Sequence, residues 1–353
     1  MYSPILRNRR SEILAVRSLS GEVRQHIMPV LDVAAPTKSA DRAAGQKYVA
    51  GNIARTEKVA AGFSAVFIDS SELEPAFRLP GGVHPLSAAA AAIVKAGARP
   101  IPVTGLHRDA AHNEAALKVR KNQARKQICF RLDATDVSTA TLTHKGILSF
   151  LEAQDIDTVQ AYLLLDLQCL YGQDQNSVVN LVTRLCKLIQ QNKWAGTIVG
   201  GYGMPDQLSN AVSPNDQAYL PRVEQDVFYS LVHSKLEIPI WFGDYTVLSP
   251  AVVELDWRLI RKVMSPRALY TLDDSWFVVR GGAFSSHKDG YAQYFAIADE
   301  IVALEEFCGE DYSAGDKYIW DRSRRVGTPG NPASWITACV NHHITFTARA
   351  HAA

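Results

Sequence analysis

Short apolar runs recur along the chain, and each is followed by a segment with the periodicity of a helix. The runs are rich in Val, Ile, Leu and Phe, and they have the length of strands that are buried on both faces in a parallel sheet. Their starts lie roughly 28 to 41 residues apart, about the length of one strand–helix unit. The eight runs are Ile27–Val33, Ala65–Asp69, Pro100–Thr104, Ile128–Leu132, Ala161–Leu167, Thr197–Gly201, Ile238–Phe242 and Trp276–Arg280.

The segments between the runs carry apolar residues at helical spacing. Asn176–Gln191 shows this most clearly, with one apolar stripe opposite a polar face. Similar patterns predict helices within Lys38–Ala61, Ala218–Leu236, Ser249–Val263 and Tyr291–Phe307.

Eight strand–helix units in series predict an α/β fold, a closed (β/α)8 barrel of the TIM type with N- and C-terminal elaborations. An open doubly wound sheet is the alternative. The number of units and the absence of a glycine-rich fingerprint after the first run disfavour it. We expect a single domain over residues 1–353, with the barrel at about 27–307, an N-terminal extension over 1–26 and a C-terminal extension over 308–353. In the C-terminal extension, Trp335–Thr347 has the composition of a strand.

The charge balance limits the classes of partner. Lys and Arg number 37 against 36 Asp and Glu, a formal net charge of +1, which argues against a broad nucleic-acid-binding surface or a membrane surface. The longest apolar run, Ala88–Val94, is too short to span a bilayer, and the N-terminus lacks the layout of a signal peptide. The five cysteines include no CxxC pair, so no zinc or thioredoxin-like site is indicated. We therefore expect a cytoplasmic protein.

Polar residues stand where the predicted strands end. In a (β/α)8 barrel these carboxyl ends meet on one face, where ligands bind. Asp32, Asp69 and Asp133 carry the oxygen ligands that Mg²⁺ prefers, and no other cofactor is indicated. Asp166 and Asp244 are the candidate catalytic carboxylates, one of which would activate water.

Groups that bind anions are found at the same strand ends. An arginine binds phosphate or carboxylate through two parallel hydrogen bonds. Glycine-rich turns leave backbone N–H groups close together and exposed, as in an anion cradle. The candidate substrate- and anion-binding residues of this rim are Arg131, Arg280, Gly200, Gly201, Gly281 and Tyr245.

These residues also have a purely structural interpretation. An aspartate at a strand end often caps the following helix, and Asp–Arg pairs can hold a barrel rim together. Ser70 and Ser71 lack the GxSxG context of a serine nucleophile. His342 and His343, expected in a strand, would point to opposite faces and could not share a metal ion. The sequence contains no complete catalytic motif, so it leaves open whether the chain is an enzyme.

Four segments together resemble one protein family. They are Tyr2–Arg7 followed by Glu12, Pro29–Asp32, Trp241–Tyr245, and Trp276–Gly281 with Asn341–Ile344. In this order and spacing they are similar to the beta protein family, named after the beta protein of a satellite phage. The similarity runs from Tyr2 to about Thr345. The family assigns no active-site residues, but Asp244, Arg280 and His342 match its recurring motifs, which adds His342 to the candidate binding residues.

The resemblance implies a role in phage defence or toxin control. The beta protein is encoded beside a protein that kills the host and counteracts that killing, and relatives occur in prophages and variable genomic islands. From the resemblance we expect a barrel protein that restrains or partners a toxic protein encoded by a neighbouring gene. The alternative, drawn from the rim residues, is a Mg²⁺-dependent enzyme that acts on a phosphorylated or nucleotide-like substrate.

Overall fold

Eight parallel strands close into a barrel in a computed structural model of the chain, which describes residues 1–36, 40–251 and 264–352. The (β/α)8 barrel predicted from the apolar runs is confirmed. Strands are numbered along the chain, and β8 lies outside the barrel. The barrel strands are β1 (Tyr2–Leu6), β2 (Val30–Asp32), β3 (Ala65–Asp69), β4 (Arg99–Thr104), β5 (Ile128–Leu132), β6 (Ala161–Cys169), β7 (Gly196–Tyr202) and β9 (Ile240–Asp244).

The barrel begins and ends earlier along the chain than the apolar runs predict. β1 pairs with β2 on one side, where Ile5 faces Val30, and with β9 on the other, where Tyr2 faces Phe242. The predicted limits of about 27–307 are therefore wrong, and so is the N-terminal extension over 1–26. All five residues of β1 are buried, but the strand is short and contains a proline, which cannot donate to the strand ladder.

The predicted eighth barrel strand, Trp276–Arg280, belongs to a second sheet. It forms β11 (Ser275–Arg280), the central strand of an antiparallel sheet between β10 (Arg267–Thr271) and β8 (Asp216–Pro221). Trp276 to Val279 are buried. An apolar run indicates that both faces of a strand are buried. It does not indicate whether the strand pairs with its neighbours in a parallel or an antiparallel direction.

Helices follow the barrel strands, and several start at an aspartate that accepts hydrogen bonds from free N–H groups of the first turn, as Asp109 and Asp174 do. In the described residues, no helix is long and apolar enough to cross a membrane. The described α-helices are α1 (Arg10–Arg17), α2 (Gly21–Gln25), α3 (Arg42–Ala60), α4 (Pro85–Lys95), α5 (Ala110–Lys121), α6 (Ala134–Ser138), α7 (Ala140–Ala153), α8 (Gln175–Ile189), α9 (Val223–His233), α10 (Gln293–Val302), α11 (Ala314–Ser323) and α12 (Pro332–Ala350).

Three of the predicted helices are confirmed. Lys38–Ala61 corresponds to α3, Asn176–Gln191 to α8 and Tyr291–Phe307 to α10. The segment Ala218–Leu236 is only partly helical, because its first residues pair with β11 and α9 starts at Val223. The helix predicted at Ser249–Val263 lies mainly outside the described residues.

The C-terminal run Trp335–Thr347 is helical, and its assignment to a strand is wrong. Asn331 accepts hydrogen bonds from the N–H groups of Ala333 and Ser334, and Pro332 occupies the first helical position. These are start signals of a helix, and here they outweigh the strand propensity of the aromatic and β-branched residues that follow. α12 packs between α1 and β10, so the C-terminal segment joins the barrel to the second sheet.

Candidate active site

A cavity of about 320 Å³ opens at the end of the barrel where the parallel strands finish. Its lining includes Asp32 at the end of β2, Arg131 in β5, Asp166 in β6 and Tyr245 directly after β9. Active sites of (β/α)8 barrels lie at this end. The cavity is therefore the candidate active site.

Arg131 joins four of the predicted site residues to one another. Its Nε donates to Asp166 Oδ2 at 2.8 Å, and its Nη1 donates to Asp32 Oδ1 at 2.7 Å and to Asp69 Oδ2 at 3.1 Å. Its Nη2 donates to the Tyr245 hydroxyl at 2.9 Å. The guanidinium thus lies among three carboxylates, and only 11 % of its side chain is exposed.

The three carboxylates differ in how fully they are hydrogen-bonded. Asp69 also accepts from Arg108 at 2.9 Å and from the N–H of Ser71. Asp166 also accepts from the Tyr245 hydroxyl at 2.6 Å and from the N–H of Gln168. Within residues 1–36, 40–251 and 264–352, no donor reaches the second oxygen of Asp32, although its carboxyl group lines the cavity.

Asp32 and Asp69, which differ in the number of donors that they bind, also differ in their pKa values. Burial, together with the negative charge of Asp69, raises the pKa of Asp32 to about 7 against the pull of Arg131. Burial also works to raise the pKa of Asp69, but the guanidinium groups of Arg108 and Arg131 outweigh it and lower that pKa to about 2. Of Asp32 and Asp69, Asp32 is therefore the one that can exchange a proton near neutral pH.

The rim of the cavity also holds Arg7, which the strand-end pattern misses, and His107, which follows the predicted strand Pro100–Thr104. Arg7 follows β1 and pairs with Glu72 at 2.7 Å, and His107 pairs with Asp136 at 3.1 Å. Arg7 falls in the predicted N-terminal extension because the apolar runs do not reveal β1. With β1 in the barrel, Arg7 stands at a strand end, and that position is the signal that identifies it.

The backbone adopts a left-handed conformation beside two of the site residues. Gln168 has φ 52° close to Asp166, and Thr246 has φ 56° directly after Tyr245. Such a φ is strained for a β-branched residue like threonine, and strained residues concentrate at functional sites. Both turns help to aim the preceding side chains at Arg131.

Asp244 does not line the cavity, although it ends a barrel strand as predicted. Its side chain lies on the outer face of the barrel, where it accepts from the Tyr2 hydroxyl at 2.5 Å, from His343 Nε2 at 2.8 Å and from the N–H of Thr246 at 3.0 Å. Burial works to raise the pKa of Asp244, but His343 and then the Tyr2 hydroxyl outweigh it and lower that pKa. The second nitrogen of His343 accepts from the Thr271 hydroxyl at 2.9 Å. Asp244 is therefore a buried structural acceptor.

Arg280 also lies away from the barrel mouth, in the second sheet. Its Nη1 donates to the carbonyl oxygen of Val212 at 2.7 Å and its Nε donates to Ser265. The apolar pattern predicts β11 as a barrel strand, and the predicted position of Arg280 at the mouth depends on that assignment. Both predictions are wrong.

The predicted anion cradle is absent at the glycines proposed for it. Gly200 and Gly201 lie within β7 and are buried, paired with β6 and β9. An added Cβ would contact Ile5 at 3.0 Å or Leu170 at 2.6 Å, so close packing explains these glycines. The N–H of Gly281 donates to the carbonyl oxygen of Pro266 at 2.9 Å.

His342 is fully buried, so it does not contact a ligand in the cavity. On α12 its two ring nitrogens face the carboxylate of Asp316 and the carbonyl oxygen of Thr271, each at 3.0 Å. Both partners are acceptors, so a ring nitrogen that carries a proton donates to one of them. Its ring stacks on Tyr270 at 3.9 Å.

The predicted magnesium ligands do not form a metal site. Asp32 and Asp69 bind Arg131, and Asp133 accepts from the N–H groups of Thr135 and Asp136 as the cap of α6. In the part of the chain that the structure describes, no group of three or more His, Cys, Asp or Glu side chains is arranged to hold a metal ion. A guanidinium occupies the position between the carboxylates instead.

Comparison with known proteins identifies the family. A family model described as Beta protein matches residues 2–349. No curated protein matches the chain. Among solved structures, the chain is similar to a fructose-bisphosphate aldolase from Campylobacter jejuni, with 10% identity and a TM-score of 0.30, over 99% of this chain and 88% of the aldolase. Because the family model spans nearly the whole sequence, the chain belongs to the Beta protein family.

Proposed function

We propose that the barrel mouth binds a small molecule rich in hydroxyl or N–H donors, and that Asp32 exchanges a proton with it. One observation carries the proposal: Asp32 is a buried carboxyl group on the cavity wall that keeps one oxygen without a donor in the described residues. A general acid or base needs a pKa near the working pH, and burial brings the pKa of Asp32 to about 7.

The charge of the cavity indicates the class of ligand. Its acidic lining residues are Asp32, Glu72, Asp133, Asp136, Asp166 and Asp206, and its arginines are Arg7, Arg108 and Arg131. Each arginine is paired with a carboxylate at 2.7–2.9 Å. The lining therefore offers more acceptors than donors, which suits a neutral or cationic ligand, such as a sugar or an amine, better than a phosphorylated one.

A binding panel tests this proposal. Glucose, ribose and agmatine are compared with inorganic phosphate and AMP by isothermal titration calorimetry, each with and without Mg²⁺. We expect binding of at least one of the first three and none of the last two. Binding of phosphate or AMP alone would contradict the proposal and favour the phosphorylated substrate predicted from the rim residues.

Asp32→Asn tests the proton exchange itself. Asparagine resembles the protonated carboxyl group. Since the pKa of Asp32 is raised in the folded protein, its contribution to stability is full below the pKa of a free aspartate and is lost as the pH rises through 7. We therefore expect the variant to gain roughly 2–4 kcal/mol of unfolding free energy relative to wild type between pH 5 and pH 8.5.

The measurement is urea unfolding at each pH, together with a carboxyl ¹³C NMR titration. The control is Asp41→Asn, because Asp41 is an exposed helix cap and asparagine caps equally well. A carboxyl resonance with a midpoint near 7 should be missing in Asp32→Asn. A midpoint below 5 would instead show that Asp32 stays ionised as a partner of Arg131.

From the resemblance alone, we propose a second role: restraint of a toxic protein encoded by a neighbouring gene. We expect the two proteins to purify together and co-expression to relieve the toxicity. Separate elution without relief of toxicity would contradict the role.

A further inference from the structure

A second cavity, of about 280 Å³, lies beside the barrel mouth. It shares Ser71, His107 and Arg108 with the first cavity as a common wall. Ser70 lies directly after β3, and His112 lies in the first turn of α5, which follows β4. Both residues are thus at the end of the barrel where ligands bind.

The hydroxyl group of Ser70 faces one ring nitrogen of His112. Ser70 Oγ lies 3.5 Å from His112 Nδ1, and both residues line the cavity although they are nearly buried, at 4 % and 3 % exposure. The distance is at the long end for a hydrogen bond, as is common between a nucleophile and its base before a substrate binds.

The other nitrogen of His112 determines where the ring proton is. His112 Nε2 lies 2.9 Å from the carbonyl oxygen of Val103, which only accepts, so Nε2 carries the proton. In the neutral ring, Nδ1 is then the acceptor that faces Ser70. The backbone carbonyl also holds the ring in place and would stabilise the imidazolium that forms when Nδ1 takes a proton.

His84 supplies a donor to the same cavity. Burial, with the nearby His112, lowers the pKa of His84 to about 4, so the ring is neutral at pH 7. Its Nδ1 accepts from the N–H of Leu86 at 3.2 Å, which places the proton on Nε2. No acceptor for that proton is present in the part of the chain described, so it is available to a substrate oxygen.

The remaining lining is partly apolar, with Leu73, Pro75, Phe77 and Pro85 beside the histidines. We infer that this cavity is a second catalytic site, in which Ser70 is a nucleophile and His112 its base, and that it takes a small ester with an apolar acyl group. The absence of a GxSxG motif does not exclude this site, because a nucleophile and its base are defined by geometry.

The proposed reaction is hydrolysis of the ester through an acyl group held on Ser70. Ser70 Oγ bonds to the ester carbonyl carbon while its proton passes to His112 Nδ1. The bond to the alcohol oxygen then breaks, and the alcohol leaves with the proton from Nδ1. Water then gives a proton to the same nitrogen while its oxygen bonds to the acyl carbon. The bond between that carbon and Ser70 Oγ breaks, the proton returns from Nδ1 to Oγ, and the acid is released.

Phenylmethanesulfonyl fluoride tests the pair directly. Ser70 Oγ bonds to its sulfur, the sulfur–fluorine bond breaks, and fluoride leaves as His112 takes the proton. We expect mass spectrometry of the full-length protein and of its peptides to show one sulfonyl group, on Ser70. Ser70→Ala should not react there, and His112→Gln should react at least ~100-fold more slowly. Ser138→Ala, on an exposed helix end, should react like wild type.

Two further readouts keep the test decisive if His112→Gln fails to fold. In the wild-type protein, the labelling rate should rise with pH along a single titration as the imidazole loses its proton. With p-nitrophenyl acetate, wild type should release a burst of one equivalent of p-nitrophenolate and Ser70→Ala should not. No label on Ser70, label on another residue, or a labelling rate independent of pH would each overturn the assignment.

Discussion

Replacing Arg131 by methionine is expected to lower the free energy of unfolding by roughly 3–5 kcal/mol at pH 7. The substitution removes the cation among Asp32, Asp69 and Asp166, all of which are buried. Three carboxylates then lie close together without a shared donor, and the penalty for a buried unpaired charge applies. We expect the melting temperature to fall by roughly 4–7 °C and the barrel mouth to lose binding of its ligand.

The pH dependence of this loss follows from the carboxyl groups. Asp69 has a lowered pKa in the folded protein, so the stability that it contributes is present above the pKa of a free aspartate and is lost as the pH falls through about 2. The difference between wild type and Arg131→Met should therefore shrink at low pH. Urea and thermal unfolding followed by circular dichroism measure it.

Arg325→Met is the matched control. It removes an exposed arginine that pairs with Asp299 at 2.7 Å, and surface pairs of this kind contribute about 0–1 kcal/mol. If Arg131→Met were no more harmful than the control, the carboxylates would be neutral or solvated in the folded protein, contrary to the network described.

Replacing Asp244 by alanine is expected to destabilise the protein by roughly 3–5 kcal/mol at pH 7, because three buried donors lose their acceptor at about 1–3 kcal/mol each. These donors come from Tyr2, His343 and the backbone of Thr246. The last of them is next to Tyr245, so the turn that aims this tyrosine at Arg131 should also loosen. Thermal and urea unfolding measure the loss of stability, and ligand binding at the mouth reports on the turn.

Two further variants sharpen the test of Asp244. Asp244→Asn keeps one acceptor oxygen and should lose less stability than Asp244→Ala. Asp321→Ala, which removes a half-buried partner of the exposed Lys317, should change stability by about 1 kcal/mol or less. An Asp244→Ala protein that melted like wild type but lost activity would restore to Asp244 the catalytic role predicted from its position at a strand end.

The barrel itself was predictable because burial on both faces leaves a strong mark on a sequence. Seven of its strands coincide with apolar runs, and only β1 was missed. The error at Trp276–Arg280 has the same origin, since that strand is also covered on both faces, by different neighbours. Apolar runs therefore locate buried strands without saying which sheet they join.

The candidate site was predictable only in part, because adjacent residues of a strand point to opposite faces. Asp244 and Tyr245 are neighbours, yet Tyr245 reaches Arg131 inside the mouth and Asp244 reaches His343 outside it. The alternation of side chains along a strand predicts that Asp244 and Tyr245 face opposite sides of the sheet. It does not predict which of the two faces the barrel interior, because that depends on the packing of α12 against the outer side. Arg131 meets Asp32, 99 residues away, and no local pattern encodes such a pairing.

The position of β1 has a consequence for synthesis of the chain. Its first partner, β2, follows within about 30 residues, but its second, β9, begins only at Ile240. Until the ribosome has made β9, β1 and β7 each keep a row of unpaired backbone N–H and C=O groups. Open strand edges of this kind recruit other chains. A nascent or truncated chain that stops before Ile240 therefore exposes two unpaired strand edges. β9 covers both edges at once, so its synthesis ends the period in which the chain is prone to aggregate.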